Sequence, residues 1–231
     1  MWVRATIIGL AVLTTLVGAA FAQDHTFSNG KLSDNQFYKA ITCKATVDGP
    51  CQERPARWPT FISNQLTVGL AQVQKGTSYE QEEVVRAALK HSVALINASG
   101  ANLKLRYVSG IMSHRTWIKF HIVQPQGPKY LIAGVSLKGL NGLRAQNART
   151  KLYANKDYKI ARAGVTISNT IKDPVQLRAL VLEELVQSLG LMWDIENPYY
   201  NDISIFSQSG PDNLLKIEGQ DKAALQRHYP F

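Results

Sequence analysis

The chain has 231 residues, with 26 Lys and Arg against 17 Asp and Glu, a formal net charge of +9 and two cysteines. That length fits one domain, or one domain with a small appendage, and 45% hydrophobic with 19% charged residues excludes a disordered or collagen-like chain. Two cysteines exclude a disulfide-dense miniprotein and a four-cysteine zinc site, while the positive charge favours anionic partners without naming one.

Met1-Trp2-Val3-Arg4 is a short basic start, followed by an apolar run from Ala5 to Ala20 and the small-residue triplet Ala20-Phe21-Ala22. This is the plan of a secretory signal over residues 1–22, cleaved before Gln23. The run is short for a membrane span, which needs about 20 apolar residues, so no stable span is expected after cleavage. Removal of that segment leaves 209 residues and, because Arg4 is its only charged residue, a net charge of +8. The expected location is outside the cytoplasm, either periplasmic or secreted. In an oxidising compartment Cys43 and Cys51, around the turn-forming Asp48-Gly49-Pro50, are expected to pair; free thiols or a redox pair are the alternatives.

Residues 23–56 are polar and turn-rich and read as an N-terminal appendage to a domain over 57–231. Leu66, Val68 and Leu70 alternate with Thr67 and Gly69, a strand pattern. Ser78 to Gln81 fits a capping box opening a helix to about Asn97, with Glu80, Glu82 and Glu83 in its first turn. Alternation predicts further strands at 103–107, 118–122, 130–137 and 160–168. From Lys138 to Arg162 there are seven cations and one acid, Asp157. That segment is either a solvated loop or edge, or a surface for an anionic ligand. No nucleic-acid motif accompanies its Tyr153 and Tyr158.

Asp173-Pro174 is a strong helix start, with Gln176 at the box position and Gly190 suited to the stop. Most of the helix is apolar. Gln176, Glu183 and Gln187 fall within about 40° of one another, and Glu184 lies to one side of that seam. A mostly buried helix with a narrow polar stripe must face a cleft, a partner group or water there.

The segment Glu183-Glu184-Leu185-Val186-Gln187-Ser188-Leu189-Gly190 resembles the metzincin protease helix H-E-x-x-H-x-x-G, with Glu184 at the general-base position. Glu183 and Gln187 stand at the first two metal-ligand positions, and Trp193, with Asp194 beside it, at the third. Ser204-Ile205-Phe206 resembles the turn beneath the metzincin site, with Phe206 for methionine, and the Gln220 to Gln226 segment with Tyr229-Pro230 is similar to the closing helix. The chain is closer still to a family of uncharacterised exported bacterial proteins, a domain of unknown function. Leu32-Ser33-Asp34 with Phe37, the Cys43 to Cys51 loop, Arg57-Trp58, the 183–190 segment and Ser204-Ile205-Phe206 carry that likeness. It departs at Ser207-Gln208, where that family tends to an Asn-Asp-like pair.

The resemblance implies an α+β, zincin-like fold: a mixed, mostly antiparallel twisted sheet of about five strands, two long helices packed on it and a C-terminal helix. It also implies a lost zinc site, since Gln is a weak neutral ligand and an indole cannot ligate. The five histidines (His25, His91, His114, His121, His228) show no ligand spacing. The expectations are therefore no cofactor and no zinc, with Glu183, Gln187 and Asp194 as weak oxygen ligands for a hard cation. The expected function is non-catalytic binding of a peptide or an anionic cell-envelope component, and not of nucleic acid. The alternative is a peptidase or cell-wall polymer hydrolase using Glu184 and Glu183.

Overall fold

A five-stranded sheet in the order β3-β2-β4-β6-β5 organises the molecule. Its strands are β2 (Leu66–Val73), β3 (Leu105–Tyr107), β4 (Ile118–Val123), β5 (Ala148–Ala154) and β6 (Ile160–Ser168). The computed structural model describes residues 25–210 and 213–231; the signal segment read at 1–22 lies outside them. Short β1 (His25–Phe27) pairs in parallel with β7 (Asp194–Glu196). The helices are α1 (Asp34–Cys43), α2 (Thr60–Ser63), α3 (Tyr79–Ala98), α4 (Pro174–Gln187) and α5 (Gly219–His228).

The α+β class stands, but the sheet is mostly parallel, which corrects the expected antiparallel one. β2 pairs in parallel with β3 and with β4, and β4 with β6; only β5 runs antiparallel, against β6. The reason is the connections. The 20-residue α3 returns the chain between β2 and β3, which makes those two parallel, whereas a tight turn at 155–159 joins β5 to β6 and reverses direction.

One face of the sheet packs its apolar residues, such as Ile118, Phe120, Val165 and Ile167, into a core shared with α3 and α4. Leu177, Val181 and Leu185 of α4 join the same core. The segment read as an appendage does not stand apart: α1 buries Phe37 and Ile41 in that core. The Cys43–Cys51 disulfide closes the loop that follows α1, with Cα atoms 5.1 Å apart.

Both helix starts behave as their residues dictate. Ser78 Oγ accepts from the Gln81 amide at 3.1 Å and Asp173 Oδ1 from the Val175 amide at 2.8 Å. The Gln81 side chain instead donates to the Ile171 carbonyl, tying α3 to the start of α4. The predicted strand at 130–137 is absent. Ile132, Val135 and Leu137 form a small second core with Val123, Leu140 and Ala145 on the other face of the sheet. Only isolated antiparallel bridges form there, from Leu131 to Gln126 and to Arg144, and Gly134 at positive φ breaks the run that follows. The fifth strand is β5, inside the basic segment, at the sheet edge. No described helix is long and apolar enough to cross a membrane.

Candidate functional site

A cleft of about 580 Å³ opens between α4 and the edge strand β5. The first half of β5 (148–150) forms one wall, α4 contributes Glu183, Glu184 and Gln187, and residues 192–194 and 207–210 close it. Of the residues singled out on the site helix, the cleft gathers Glu183, Glu184 and Gln187, together with Trp193 and Asp194. Gln176 is half-buried two turns earlier on α4 and does not line it.

The two adjacent acids diverge, as a 100° helical step requires. Glu184 is only 6% exposed, and its carboxylate accepts a hydrogen bond from Thr150 Oγ1 of β5 at 2.5 Å. Burial pushes its pKa up to about 7, with the Thr150 hydrogen bond and the Arg149 charge pulling the other way. A carboxyl that titrates near neutrality while lining a cleft can hold or release a proton there.

Glu183 turns instead to Gln187. The Gln187 Nε2 donates to Asp194 Oδ1 at 2.9 Å and to Glu183 Oε1 at 3.3 Å. An amide nitrogen thus directs both its hydrogens at the two carboxylates that a cation would have to share. These residues do not fit zinc, and the donor set does not favour a hard cation either, because Gln187 presents hydrogens, not its oxygen, to the acids. Among the described residues no group of three or more His, Cys, Asp or Glu is placed to hold a metal ion. His228 is committed elsewhere: its Nε2 donates to the Ala56 carbonyl at 3.0 Å and its Nδ1 accepts from the Tyr38 hydroxyl at 3.1 Å. Trp193 carries Lys44 Nζ over its ring at 4.4 Å and donates its amide to the Ile41 carbonyl.

Beneath the cleft, the turn at Ser204, Ile205 and Phe206 is held by an acid with no assigned role in the sequence reading. Asp221 of α5 accepts from Ser204 Oγ at 2.7 Å and from the Ile205 amide at 2.9 Å. Phe206, fully buried, packs on Phe37 of α1 with ring centroids 6.2 Å apart, and its carbonyl accepts from the Ile195 amide of β7. Burial pushes the Asp221 carboxyl up to about 7, opposed by its two donors. Asp221→Ala is expected to cost about 2–4 kcal/mol in urea unfolding because it strands two buried donors, while Asp221→Asn costs less. Equal stability of Asp221→Ala and the parent would show that the turn does not depend on this carboxyl.

Three contributors came only from the structure: Thr150, Arg149 and Asp221. Thr150 and Arg149 lie in the basic segment, where alternation of Ala148, Thr150 and Leu152 with Arg149, Lys151 and Tyr153 was the available signal of a strand. Neither a family model nor a curated protein sequence matches the chain.

Proposed function

We propose that the chain is a zincin-like exported protein in which a hydrogen-bonded cluster replaces the metal, and that its cleft binds an extended peptide along β5. The observation that carries this reading is the position of a bare sheet edge as the cleft wall. β5 is the last strand of the sheet, and Ser168 N donates to the Asn147 carbonyl across the β5–β6 pair. Antiparallel alternation then turns the Arg149 and Lys151 backbone groups toward β6 and those of Ala148, Thr150 and Leu152 outward. An added strand would pair with those outward groups, and its side chains would alternate into the cleft.

Further support for the zincin-like reading is the juxtaposition of an antiparallel edge strand, a site helix with Glu184 at its cleft side, and the Ser204–Phe206 turn below. The disulfide agrees with export to an oxidising compartment. The Gln187 bridge between Glu183 and Asp194 supports a metal-free cluster. Metal analysis after dialysis should therefore find no stoichiometric zinc; one tightly held Zn²⁺ per chain would sink the metal-free reading.

Ala148→Pro tests the peptide reading. Proline removes the outward N–H of the first strand residue and leaves the β5–β6 ladder intact, a position where edge strands accept it. Binding of a labelled, unfolded casein fragment pool is expected to weaken at least tenfold with the thermal midpoint nearly unchanged. Unaltered binding would move the ligand off this edge.

The Glu184 carboxyl favours a second reading, hydrolysis by general acid–base chemistry. Activity on peptide or cell-wall fragments that disappears in Glu184→Gln would establish it in place of simple binding.

A further inference from the structure

A second cavity, of about 300 Å³, lies between α3 and α4 and is separate from the cleft. On α4 the cleft takes Leu180, Glu183, Glu184 and Gln187, whereas this cavity takes Arg178 and Leu182. With about 100° per residue, the two sets centre about 170° apart around the helix, so the cavity opens on the opposite side of α4.

The hollow has a cause in the sequence. Toward it α3 presents Ala87, Ala88 and Ser92, and small side chains between packed helices leave space that larger ones would fill. Leu182, and Leu215 from the loop before α5, supply aliphatic wall. Ala88 and Leu182 belong to the main core, so that part of the wall is fixed by packing.

Three polar groups border this apolar space. Ser92 is only 1% exposed, and its hydroxyl makes no hydrogen bond among the described residues. Buried hydroxyls are nearly always hydrogen-bonded, so this one marks a place for a ligand atom. Arg178 and His91 are exposed and line the same cavity, and neither is paired with an acid among the described residues. The acids near them along the helices are engaged elsewhere: Glu82 and Glu83 with Arg86, and Glu183 with Gln187 in the cleft.

A guanidinium and an imidazole over an aliphatic hollow select an amphipathic anion. The guanidinium fork matches a carboxylate with two parallel N–H bonds, and an imidazole has a ring N–H to donate in either protonation state. The volume sets the length. A water-sized group takes about 30 Å³, so the cavity holds about ten non-hydrogen atoms, the size of octanoate.

We propose that the cavity between α3 and α4 binds a medium-chain aliphatic carboxylate, with its chain against Leu182 and Leu215 and its carboxylate at Arg178 and His91. The site is independent of the peptide reading of the cleft.

The test is isothermal titration calorimetry of the purified protein with octanoate, octanol, octyltrimethylammonium and acetate. Octanoate is expected to bind with a Kd below about 1 mM, at least fivefold tighter than each of the other three. Arg178→Gln should weaken octanoate at least fivefold and leave octanol unchanged. Ala87→Leu should weaken octanoate at least tenfold, because leucine at this exposed helical position grows into the hollow without disturbing α3. Thermal midpoints of both variants check the fold, and Arg178→Gln alone decides if Ala87→Leu is destabilised. Ala148→Pro should leave octanoate binding unchanged, so failure here and failure of the peptide reading are distinguishable. No saturable binding up to about 5 mM octanoate, full affinity in either folded variant, or octanol, octyltrimethylammonium or acetate bound as tightly as octanoate would each overturn the proposal.

Discussion

Gly190→Ala is expected to cost at least about 4 kcal/mol, a large part of the 5–15 kcal/mol that holds a domain of this size together. Gly190 has φ +106°, a conformation that charges an L residue about 1–2 kcal/mol on its own. A Cβ there would also lie 2.0 Å from the Ala56 carbonyl oxygen and 2.8 Å from His228 Nε2. Neither neighbour can retreat. The Ala56 oxygen is the acceptor for His228, and His228 is fully buried and held on its other nitrogen by Tyr38.

The crowding has a cause in the way α4 ends. Its last carbonyls need donors: Trp58 Nε1 reaches the Ser188 carbonyl at 3.1 Å and the Tyr229 hydroxyl reaches that of Leu189 at 2.5 Å. Bringing residues 56–58 and the C-terminal helix close enough to supply them leaves room for a hydrogen at Gly190 and nothing more. The same network sets where Gln187 sits, three residues earlier, so the variant should also disturb the Glu183–Gln187–Asp194 cluster. Urea unfolding followed by circular dichroism measures the loss. Gly219→Ala is the control: φ is +51° with no atom near the added carbon, so about 1–2 kcal/mol is expected. A Gly190→Ala variant no less stable than that control would mean that the α4 terminus is not packed as described.

Gly190 was legible as a helix stop from its position, but the reason it must be glycine was not, because Ala56 and His228 are far away in sequence. The same division runs through the molecule. Local chemistry was readable: the Asp173-Pro174 start, the Ser78 cap, and the divergence of Glu183 and Glu184 all follow from spacing along one helix. Strand direction was not, because parallel pairing of β2 with β4 depends on where α3 and the loop after Tyr107 return the chain. β5 was hidden by its cations, since Lys151 and Arg149 on an edge strand imitate a solvated loop. Residues 130–137 misled in the opposite sense, since their apolar side chains fill a small core under a glycine-broken loop. Asp221 looked like one more acid on a polar helix. Only the Ser204–Phe206 turn, reached across the fold, explains its burial.

The pH dependence of a single variant decides what the cleft can do chemically. Glu184→Gln is expected to be stabilising at pH 8.5 relative to pH 4.5, by about 2–3 kcal/mol when each is compared with the parent at the same pH. The sign follows from the direction of the shift. The Glu184 pKa is raised by burial from 4.5 to about 7, so the folded protein holds a proton that the unfolded chain has already released between those values. Stability from this group is fully present below pH 4.5 and is lost as the pH rises through about 7, where a carboxylate must be kept buried. Glutamine carries no such charge and can still accept from Thr150 through its amide oxygen. Comparison with the parent cancels the buried histidines, which act with the opposite sign: His121 and His228 are lowered by burial to about 4 and about 3, so each loses stability as pH falls below 6.5. Urea unfolding of both proteins at the two pH values supplies the measurement. A difference between variant and parent that does not change with pH would place Glu184 at an ordinary pKa, and general acid–base chemistry near neutrality would lose its group. A difference of the expected size would show a carboxyl poised near neutrality, facing the same cleft in which β5 offers its edge to an extended chain.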